Sequence, residues 1–508
     1  MAKRVKRALV TVHLYLGLLL SVVFAIWFVS GIAMIYYRTP VLDVAQRMAF
    51  EPSFAPQLEL MKPSEVPGLA LAWPDVEDLH ASTFQGRPLY RWRQGNGRWS
   101  SGWADDGSAA SFHPERLAAE AARWFGADAA FKYSGSFDEN SQWTFFRSAS
   151  GHLPLYRFST GRGPLRSEVY FSSRTGEPLI ATTPTGRLLY ILGPGLHYAS
   201  FYPIRNRNQF WRDLVNWTSG LGVVLALTGV AIGVWRIRWG AVGTSRRKIP
   251  FTRFWMHWHH LLGLLVAIPT FTFVLSGLFS MNPGGMFPSM AVSDEFVVAK
   301  QGPRGSLVAL PEAHAGLASL PFNAVRVDYL QRDGGTVLLA HSKGGNRQRI
   351  DFSSGSWRAE APHSEAALIE AFERVHPGRL KQAQWLEHYD NHYYSRKERY
   401  RPLPVLRLIL DEPQATWLYV EPTTGAFLRQ TDRGSRARRW LYNGLHSLDP
   451  QFLLTRPWLW TAVIWSLSLG GLAMSVTGVA LTVKWLRRKL GTRRSRGEEG
   501  ADLAGGVR

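Results

Sequence analysis

The chain has 508 residues, enough for several domains, and contains no cysteine. Without cysteine, Cys-ligated iron–sulfur clusters and covalent haem attachment through a C-x-x-C-H motif are excluded. The formal net charge is +21, but the basic residues flank apolar segments, which argues against a nucleic-acid-binding protein.

Four segments contain no Asp, Glu, Lys or Arg, namely 10–37, 214–235, 254–293 and 457–483. A membrane-spanning helix needs roughly 20 apolar residues, so each segment is predicted to cross a membrane once. The third helix is expected to stop near Met281, before "NPGG". The first segment is too long for a signal-peptide core and lacks a small-residue cleavage site, so we interpret it as a retained helix.

Basic residues collect at one set of helix ends. They lie in the N-terminus, in the connection between the second and third helices, and in the C-terminal tail: Lys3, Arg4, Lys6, Arg7, Arg236, Arg238, Arg246, Arg247, Lys248, Arg253, Lys484, Arg487, Arg488, Lys489, Arg493, Arg494 and Arg496. The positive-inside rule makes these segments, including both termini, cytoplasmic. The tail is also suited to anionic lipid headgroups.

The sequence therefore predicts five parts. These are the cytoplasmic N-terminus and first helix (1–37), a first outer region (38–212), the second helix, cytoplasmic loop and third helix (213–281), a second outer region (282–456), and the fourth helix with the basic tail (457–508). The predicted fold class is an integral membrane α-helical protein with four transmembrane helices in two tandem hairpin repeats, plus α+β extracytoplasmic domains.

Both outer regions show helix and strand patterns in the same order. Apolar residues follow helical spacing in 113–126 and 363–376. Strand-like "EVYFS" and "TWLYVE" precede the turns "SRTGE" and "PTTGA". Gly176 and Gly425 occupy turn positions where a positive φ is expected.

The chain is a duplication that keeps histidines in register. His13 and His259 each stand four residues before a glycine and eighteen before another. His197 and His446 each precede a Thr-Gly pair by 31 and 32 residues. Repeats of this kind often build a site at their interface in membrane proteins, so four matched histidines suggest two paired sites.

Neutral imidazole is a good axial ligand for haem iron, and an ionisable residue at membrane depth indicates function. If the two hairpins face each other, His13 meets His259 across one haem b and His197 meets His446 across a second. Gly17, Gly31, Gly263 and Gly277 would let a flat macrocycle approach the backbone.

Other interpretations of the same histidines remain open. His257 and His260 are neighbouring candidates that only the repeat register disfavours. A transition-metal site without porphyrin, a proton or ion path, and simple anchoring at the interface are the alternatives to haem ligation.

The residues resemble the PepSY-associated transmembrane helix family of bacterial inner-membrane proteins. The resemblance runs from Val10 to about Trp485 and is most specific in "RPLPVLRLILDEPQATWLYVEPTTG" and "RRWLYNGLHSLDP". It implies PepSY-type outer regions and a link to iron uptake, because iron-regulated and siderophore-linked ferric reductases with haem b are members. The first copy departs from the pattern at "LGPGLHYASFYPIRNRN", which is longer and more basic.

We therefore predict a ferric reductase-type oxidoreductase that moves electrons across the inner membrane to ferric iron or a ferric siderophore. The chain has no dinucleotide-binding fingerprint, so the electron donor is a quinol or a redox partner. The first alternative is a membrane-anchored PepSY module that inhibits or senses a protease, without cofactor. The second is a transporter subunit, which the scarcity of broken-helix features disfavours.

Two further groups of residues are candidates for weaker roles. Arg205, Arg207, Arg212 and Arg456 lie where they would pair with haem propionates or an anionic chelate, although interfacial arginines are common. The segment 386–396 clusters His388, Asp390, His392 and Tyr394. It is a candidate contact for an iron chelate, but a folded polar loop is the favoured interpretation.

Overall fold

A computed structural model describes residues 2–37, 39–55, 60–125, 131–160, 165–237, 249–287, 291–296, 306–312, 314–332, 335–353, 355–396 and 400–504. The predicted cytoplasmic residues Arg238, Arg246, Arg247 and Lys248 lie outside this set. The chain divides into two compact units. The helical unit comprises Met1–Arg38, Leu188–Phe287 and Ala437–Arg508, and the sheet unit comprises Thr39–Arg187 and Pro288–Arg436.

Long apolar helices build the helical unit. The first, second and fourth are Ala2–Tyr36, Asn208–Arg236 and Pro457–Ala504, and the third is a pair, Phe254–Leu265 and Ala267–Ser280. Among the described residues, three helices are long and apolar enough to cross a membrane, and a fourth span exists if the pair, bent by 68°, crosses as one. The four predicted segments thus correspond to three continuous helices and one broken helix.

A proline explains the break in the third helix. Pro269 has no N–H to donate to the carbonyl of Leu265, and a proline ring clashes with the carbonyl four residues earlier. Val266 lies at the bend with non-helical torsion angles, φ −106° and ψ 16°. The residue of the first copy that corresponds to Pro269, 246 positions earlier, is Val23, and the first helix is continuous there.

The helices pack as a closed ring. The first helix contacts the second and the fourth, while the two halves of the third contact the fourth and the second respectively. Phe24 and Phe28 of the first helix are buried in the bundle core with Leu225 and Val274. Gly471 of the fourth helix leaves no space for a side chain, because an added Cβ would lie 2.2 Å from the Phe28 ring.

Short helices precede the second and fourth long helices in matching order. The first set is Pro184–Tyr190, the π-helical turn Ile191–Gly195 and Tyr202–Arg205, and the second is Arg433–Arg438, the π-helical turn Arg439–Gly444 and Gln451–Leu454. The remaining short helices are Val44–Met48, Pro63–Glu65, Pro67–Ala72, Arg147–Ser150, Pro283–Gly285, Leu307–Ala309 and Leu317–Ser319. π-helical turns often mark functional sites.

The sheet unit contains fifteen described strands. They are β1 Val76–Phe84, β2 Arg87–Gln94, β3 Trp99–Trp103, β4 Lys132–Phe137, β5 Leu155–Thr160, β6 Ser167–Ser172, β7 Pro178–Thr182, β8 Ala324–Arg332, β9 Gly335–Ser342, β10 Arg347–Ser353, β11 Ser356–Glu360, β12 Leu380–Leu386, β13 Val405–Leu410, β14 Trp417–Val420 and β15 Phe427–Thr431. Two four-stranded antiparallel sheets, β4–β7 and β12–β15, belong to one copy each.

The third sheet joins the two copies. Its seven strands run in the order β11-β10-β9-β8-β1-β2-β3, and β1 pairs antiparallel with β8. The structure thus combines strands from the two predicted outer regions in one unit with a shared sheet. It also assigns 188–212 and 437–456, which the prediction counted as outer, to the helical unit.

The local predictions for the outer regions agree with the structure. The helices are Pro114–Phe125 and Glu365–Val375, and β6 and β14 precede the predicted turns. Gly176 and Gly425 have φ angles of 69° and 67°, so each adopts the left-handed conformation that glycine accommodates without strain.

Candidate functional site

The structure brings His13 and His259 together at one end of the helix bundle. Their ring centres are 6.3 Å apart and their planes are tilted by 47°. His13 lies on the first helix and His259 on the N-terminal half of the third. Both side chains are half-buried. We call these two residues the inner pair.

His197 and His446 form a second pair in the helical unit. Their ring centres are 5.9 Å apart with an interplanar angle of 68°. Each follows the π-helical turn that precedes a long helix. We call them the outer pair.

The two pairs are far apart along the bundle. Gly31 lies against the ring of His197 and is eighteen residues after His13 on the same helix. At 1.5 Å per residue the pairs are separated by about 27 Å along the helix. This separation is close to the thickness of a bilayer's hydrocarbon core, roughly 30 Å.

Every one of the four histidines places Nδ1 against a hydroxyl oxygen. His13 contacts Thr228 Oγ1 at 3.3 Å and His259 contacts Thr477 Oγ1 at 2.9 Å. His197 contacts Ser30 Oγ at 3.0 Å and His446 contacts Ser276 Oγ at 3.2 Å. Each serine or threonine is followed directly by a glycine, so the same dipeptide recurs at all four positions.

The hydrogen-bond pattern identifies the protonated nitrogen. The hydroxyls of Thr228, Thr477, Ser30 and Ser276 each donate to a main-chain carbonyl one turn earlier. A hydroxyl has one hydrogen, so its oxygen accepts from the imidazole. In addition, Nδ1 of His13 and of His446 lies near a main-chain carbonyl, at 3.2 and 3.0 Å, and a carbonyl only accepts. Nδ1 therefore carries the proton, and Nε2 is the unprotonated nitrogen, the one suited to binding a metal.

A glycine lies beside each imidazole, and the approach is tighter than an ordinary van der Waals contact at Gly229 and Gly277. A Cβ added at Gly229 would lie 2.9 Å from Cε1 of His13, and one at Gly277 would lie 3.3 Å from Cε1 of His446. A Cβ added at Gly478 would lie 3.5 Å from the ring of His259, and one at Gly31 would lie 3.8 Å from the ring of His197. These Ser-Gly and Thr-Gly pairs therefore supply both a hydrogen-bond acceptor and space for the ring.

The predicted roles of the glycines differ from one another in the structure. Gly31 and Gly277 lie against the imidazole rings of the outer pair. They therefore do not provide space for a macrocycle beside the histidine of their own helix. Gly17 and Gly263, one turn after the inner histidines, have no atom within 4 Å of an added Cβ. A flat group bound at the inner pair would find open space at these two positions.

The other two histidines of the third helix point elsewhere. His257 places Nδ1 3.1 Å from the carbonyl oxygen of Phe251, and His260 places Nε2 3.0 Å from that of Gly233. His259 is the one of the three whose ring lies opposite His13. The structure thus separates candidates that the sequence left open.

A buried pair of side chains closes each loop that carries an outer histidine. In the first copy, Tyr190 Oη lies 2.9 Å from Ser200 Oγ. In the second copy, 249 residues later, Arg439 occupies the tyrosine position and Asp449 the serine position. Their side chains are 2% and 3% exposed, and Nη2 of the arginine lies 3.3 Å from the carboxylate. An ion pair therefore replaces a neutral contact beside His446.

The remaining predicted residues have local partners. Arg205 stacks on Trp211 at 3.9 Å and Arg456 donates to the carbonyl of Phe452, while Arg207 and Arg212 are exposed. No contact of these arginines with the histidine pairs occurs among the described residues. Their role toward propionates or a chelate stays a prediction.

The segment 386–396 is held together internally. Asp390 pairs with Arg407 and accepts hydrogen bonds at 2.7 Å from the main-chain N–H groups of His392 and Tyr393. Tyr393 is fully buried, whereas His388 is exposed. These contacts agree with the interpretation of the segment as a folded polar loop. Arg407 is the charged partner of the Asp390 carboxylate within it.

A second group of buried titratable residues lies in the shared sheet. His80 is 1% exposed, faces Asp328 across β1 and β8, and has Nδ1 3.6 Å from the Asp78 carboxylate. Burial lowers the pKa of His80, and the charge of Arg326 lowers it further. Burial raises the pKa of Asp328, but Arg326, together with smaller contributions from His341 and His80, holds that pKa far below its usual value. The sequence analysis missed this cluster because its members come from both copies.

The comparisons with known proteins come from two sources. A family model described as a PepSY-associated TM region matches residues 10–386. A search of curated proteins found no match. The matched range covers about three quarters of the chain and includes His13, His197 and His259 but not His446.

Proposed function

Since the chain belongs to the family of PepSY-associated TM region proteins, a membrane family, we propose that it is an electron-transfer protein of the bacterial inner membrane. Its proposed reaction is the reduction of ferric iron or a ferric siderophore on the periplasmic side. The observation that carries this proposal is the pair of facing histidines at each end of the helix bundle.

The spacing of each pair suits a single metal between two imidazoles. An imidazole nitrogen binds first-row metals at about 2.0–2.1 Å, so two opposite imidazoles have ring centres on the order of 6 Å apart. Ring centres in the two pairs are 6.3 and 5.9 Å apart. This agreement supports His13 and His259 as ligands of one metal and His197 and His446 as ligands of another.

The number of donors favours haem over a bare ion. Among the described residues, no group of three or more His, Cys, Asp or Glu is arranged to hold a metal ion. Protein zinc sites use three or four protein ligands, whereas a porphyrin supplies four nitrogens itself and needs two axial ligands. The open space at Gly17 and Gly263 is compatible with a flat macrocycle at the inner pair.

The surrounding residues would prepare the histidines for this role. The serine and threonine hydroxyls hold the proton on Nδ1, which leaves Nε2 as the metal-binding atom and fixes the ring orientation. When bound, haem supplies one-electron redox chemistry that the protein side chains lack. Reduction of a ferric chelate is useful for uptake because ferrous iron is held less well by hard oxygen donors.

Contacts at one end of the bundle support a single orientation in the membrane. Lys6 of the first helix lies 4.5 Å from the ring centre of Trp235 on the second. Lys484 of the fourth helix lies 5.9 Å from that of Trp255 on the third. Lysines beside tryptophans are typical of an interface, so all four helix ends belong to the same face, which we propose is cytoplasmic.

The orientation predicts the result of reporter fusions. A reporter fused after Lys484 should lie in the cytoplasm, because the basic clusters stay inside. A reporter inserted within 100–150 should lie in the periplasm. Alkaline phosphatase and a fluorescent protein at both positions provide the measurement. A periplasmic signal from the fusion after Lys484 would reverse the orientation and exchange the positions of the two pairs.

The function predicts a reaction with acceptors outside. In vesicles with the sheet unit facing out, pre-reduced protein should be reoxidised by an impermeant ferric chelate. His446→Ala should slow this reoxidation severalfold or more, while reduction from the cytoplasmic side continues, because the inner pair is intact. Absorbance after rapid mixing measures both steps.

Two other results would change the proposal. Equal reoxidation rates in wild type and His446→Ala would favour the membrane-anchored binding module. Binding of haem without any response to ferric chelates would keep electron transfer and remove iron as the acceptor. The matched control is His257→Ala, which removes a nearby imidazole that faces a main-chain carbonyl.

A further inference from the structure

The sheet unit contains a cleft of about 540 Å³ that the proposed electron transfer does not use. It lies between the first copy's part of the shared sheet and the β4–β7 sheet, and both walls belong to the first copy. Its volume is within the range of roughly 300–1,000 Å³ that is typical of small-molecule sites. Leu71 at its edge is 89% exposed, so the cleft is open to solvent.

The cleft combines aromatic walls with a positive charge. Tyr156 contributes a half-buried ring, and Trp92 and Phe112, which are 4% and 2% exposed, contribute only a small part of theirs. Ser100 and Ser173 contribute hydroxyls, and the cation is Arg174. Among the described residues that line it, none is Asp or Glu. Apolar walls with a few placed polar groups are the usual composition of a ligand pocket.

Arg174 is held in place but lacks an acidic partner. Its Nε donates to the carbonyl of Leu153, its main-chain N–H donates to Ser172 Oγ, and its carbonyl accepts from Ser101 Oγ. No carboxylate pairs with its guanidinium in the part of the chain that the structure describes. Burial lowers the pKa of Arg174, and the charge of Arg98 lowers it further. An anion placed on the remaining guanidinium N–H groups would offset both effects.

The second copy shows that the fold does not demand these residues. The positions that correspond to Trp92, Tyr156 and Arg174 by strand and turn register carry Ala340, Leu406 and Thr423. These replacements remove two aromatic rings and the charge. The cleft chemistry is therefore a property of the first copy and not of the repeated framework.

We propose that this cleft binds a small organic anion that carries an aromatic ring, with its carboxylate on Arg174 and its ring against the aromatic wall. A planar guanidinium recognises a carboxylate through two parallel hydrogen bonds. The aromatic side chains provide stacking or edge-to-face contacts for the ring. The proposal does not depend on haem or on electron transfer.

The test uses the full-length protein in detergent and titration calorimetry with benzoate as the probe. Benzoate should bind in the millimolar range or tighter, as expected for a ligand of this size. Benzamide, which keeps the ring and lacks the charge, and cyclohexanecarboxylate, which keeps the charge and lacks the aromatic ring, should each bind at least several-fold more weakly. Equal affinity for all three compounds would overturn the proposal.

Variants locate the binding site. Arg174→Gln should weaken benzoate binding at least tenfold, since it removes a charge-assisted hydrogen bond, and Arg174→Lys should retain part of the affinity. Arg98→Gln removes a neighbouring charge that does not line the cleft, and it should change binding less than twofold. Unchanged benzoate binding in Arg174→Gln would overturn the proposal. An unfolding midpoint equal to that of wild type shows that the variant is folded.

Discussion

Replacing His446 with alanine should remove one of the two predicted haems and leave the other. In the proposed ligation, His446 supplies an axial nitrogen at the outer pair only, because its ring faces His197 at 5.9 Å and the inner pair is about 27 Å away along the bundle. A metal held by two protein nitrogens loses half of its protein ligation in this variant. Pyridine haemochrome assay of the purified protein should therefore give one haem per chain, where wild type gives two.

The four ligand variants should fall into two classes. His13→Ala and His259→Ala should both lose the inner haem, whereas His197→Ala and His446→Ala should both lose the outer one. Reduced-minus-oxidised spectra should show the sharp bands of six-coordinate, low-spin b-type haem in wild type and the loss of a different component in each class. Full haem content in all four variants would contradict the ligand assignment.

Controls separate loss of a ligand from general damage. His257→Ala should keep both haems, because that imidazole contacts the carbonyl of Phe251. Ser30→Ala keeps the ligand His197 but removes its hydroxyl partner, and loss of such an outer contact typically costs 10–100-fold in metal affinity. Gly229→Ala should disturb the inner site, since the new Cβ would lie 2.9 Å from His13. Gly17→Ala is the matched glycine control for folding without haem, because an added Cβ there has no protein atom within 4 Å.

The sequence predicted the pairing of the histidines because a duplication leaves a record in residue spacing. His13 with His259 and His197 with His446 are related by the repeat, and a twofold arrangement of the two copies brings such residues together. The Thr-Gly pairs were visible for the same reason. The contact of these pairs with the histidines could not be predicted, because spacing along the chain does not say which helices are neighbours. Only the packed bundle shows that Thr228 of the second helix contacts His13 of the first.

The sequence could not predict two features of the fold, the sheet shared by the two copies and the bend in the third helix. The shared seven-stranded sheet requires β1 to pair with β8, which lies about 250 residues later, and local strand patterns contain no information on such a partner.

The bend at Val266 follows from one residue, Pro269. A proline near the start of an apolar run fits either a kinked helix or two helices, and surrounding packing decides. The break also weakens the earlier argument against a transporter, which rested on the scarcity of broken helices.

The largest effect on stability is expected at the buried ion pair beside His446. Arg439→Met should destabilise the protein by about 3–5 kcal/mol, because it leaves the carboxylate of Asp449 buried without its charged partner. The carboxylate is 3% exposed, so solvent cannot replace the arginine. The same variant also removes the guanidinium that stacks on Trp440 at 4.2 Å. Heat denaturation at a fixed scan rate in detergent should show a lowered midpoint.

The protein's own first copy provides the matched control. Tyr190 and Ser200 occupy the equivalent positions and make a neutral contact of 2.9 Å. The double variant Arg439→Tyr with Asp449→Ser places the residues of the first copy at the equivalent positions of the second copy. It should recover most of the lost stability, because replacing both members of a buried ion pair is often neutral, whereas removing one is costly. Tyr190→Phe, which removes only the neutral contacts of the tyrosine hydroxyl with Ser200 Oγ and the Ser200 carbonyl, should cost only about 1 kcal/mol.

The ion pair also has a local consequence for the proposed outer site. Arg439 and Asp449 close the segment that carries His446, so breaking the contact should release that histidine before it affects His13 or His259. Arg439→Met should therefore lose outer haem at a temperature where inner haem is retained, and the double variant should retain both. Equal loss from the two sites would mean that the pair stabilises the bundle as a whole. Unchanged stability in Arg439→Met would mean that other contacts satisfy Asp449, and the pair would then have no positioning role.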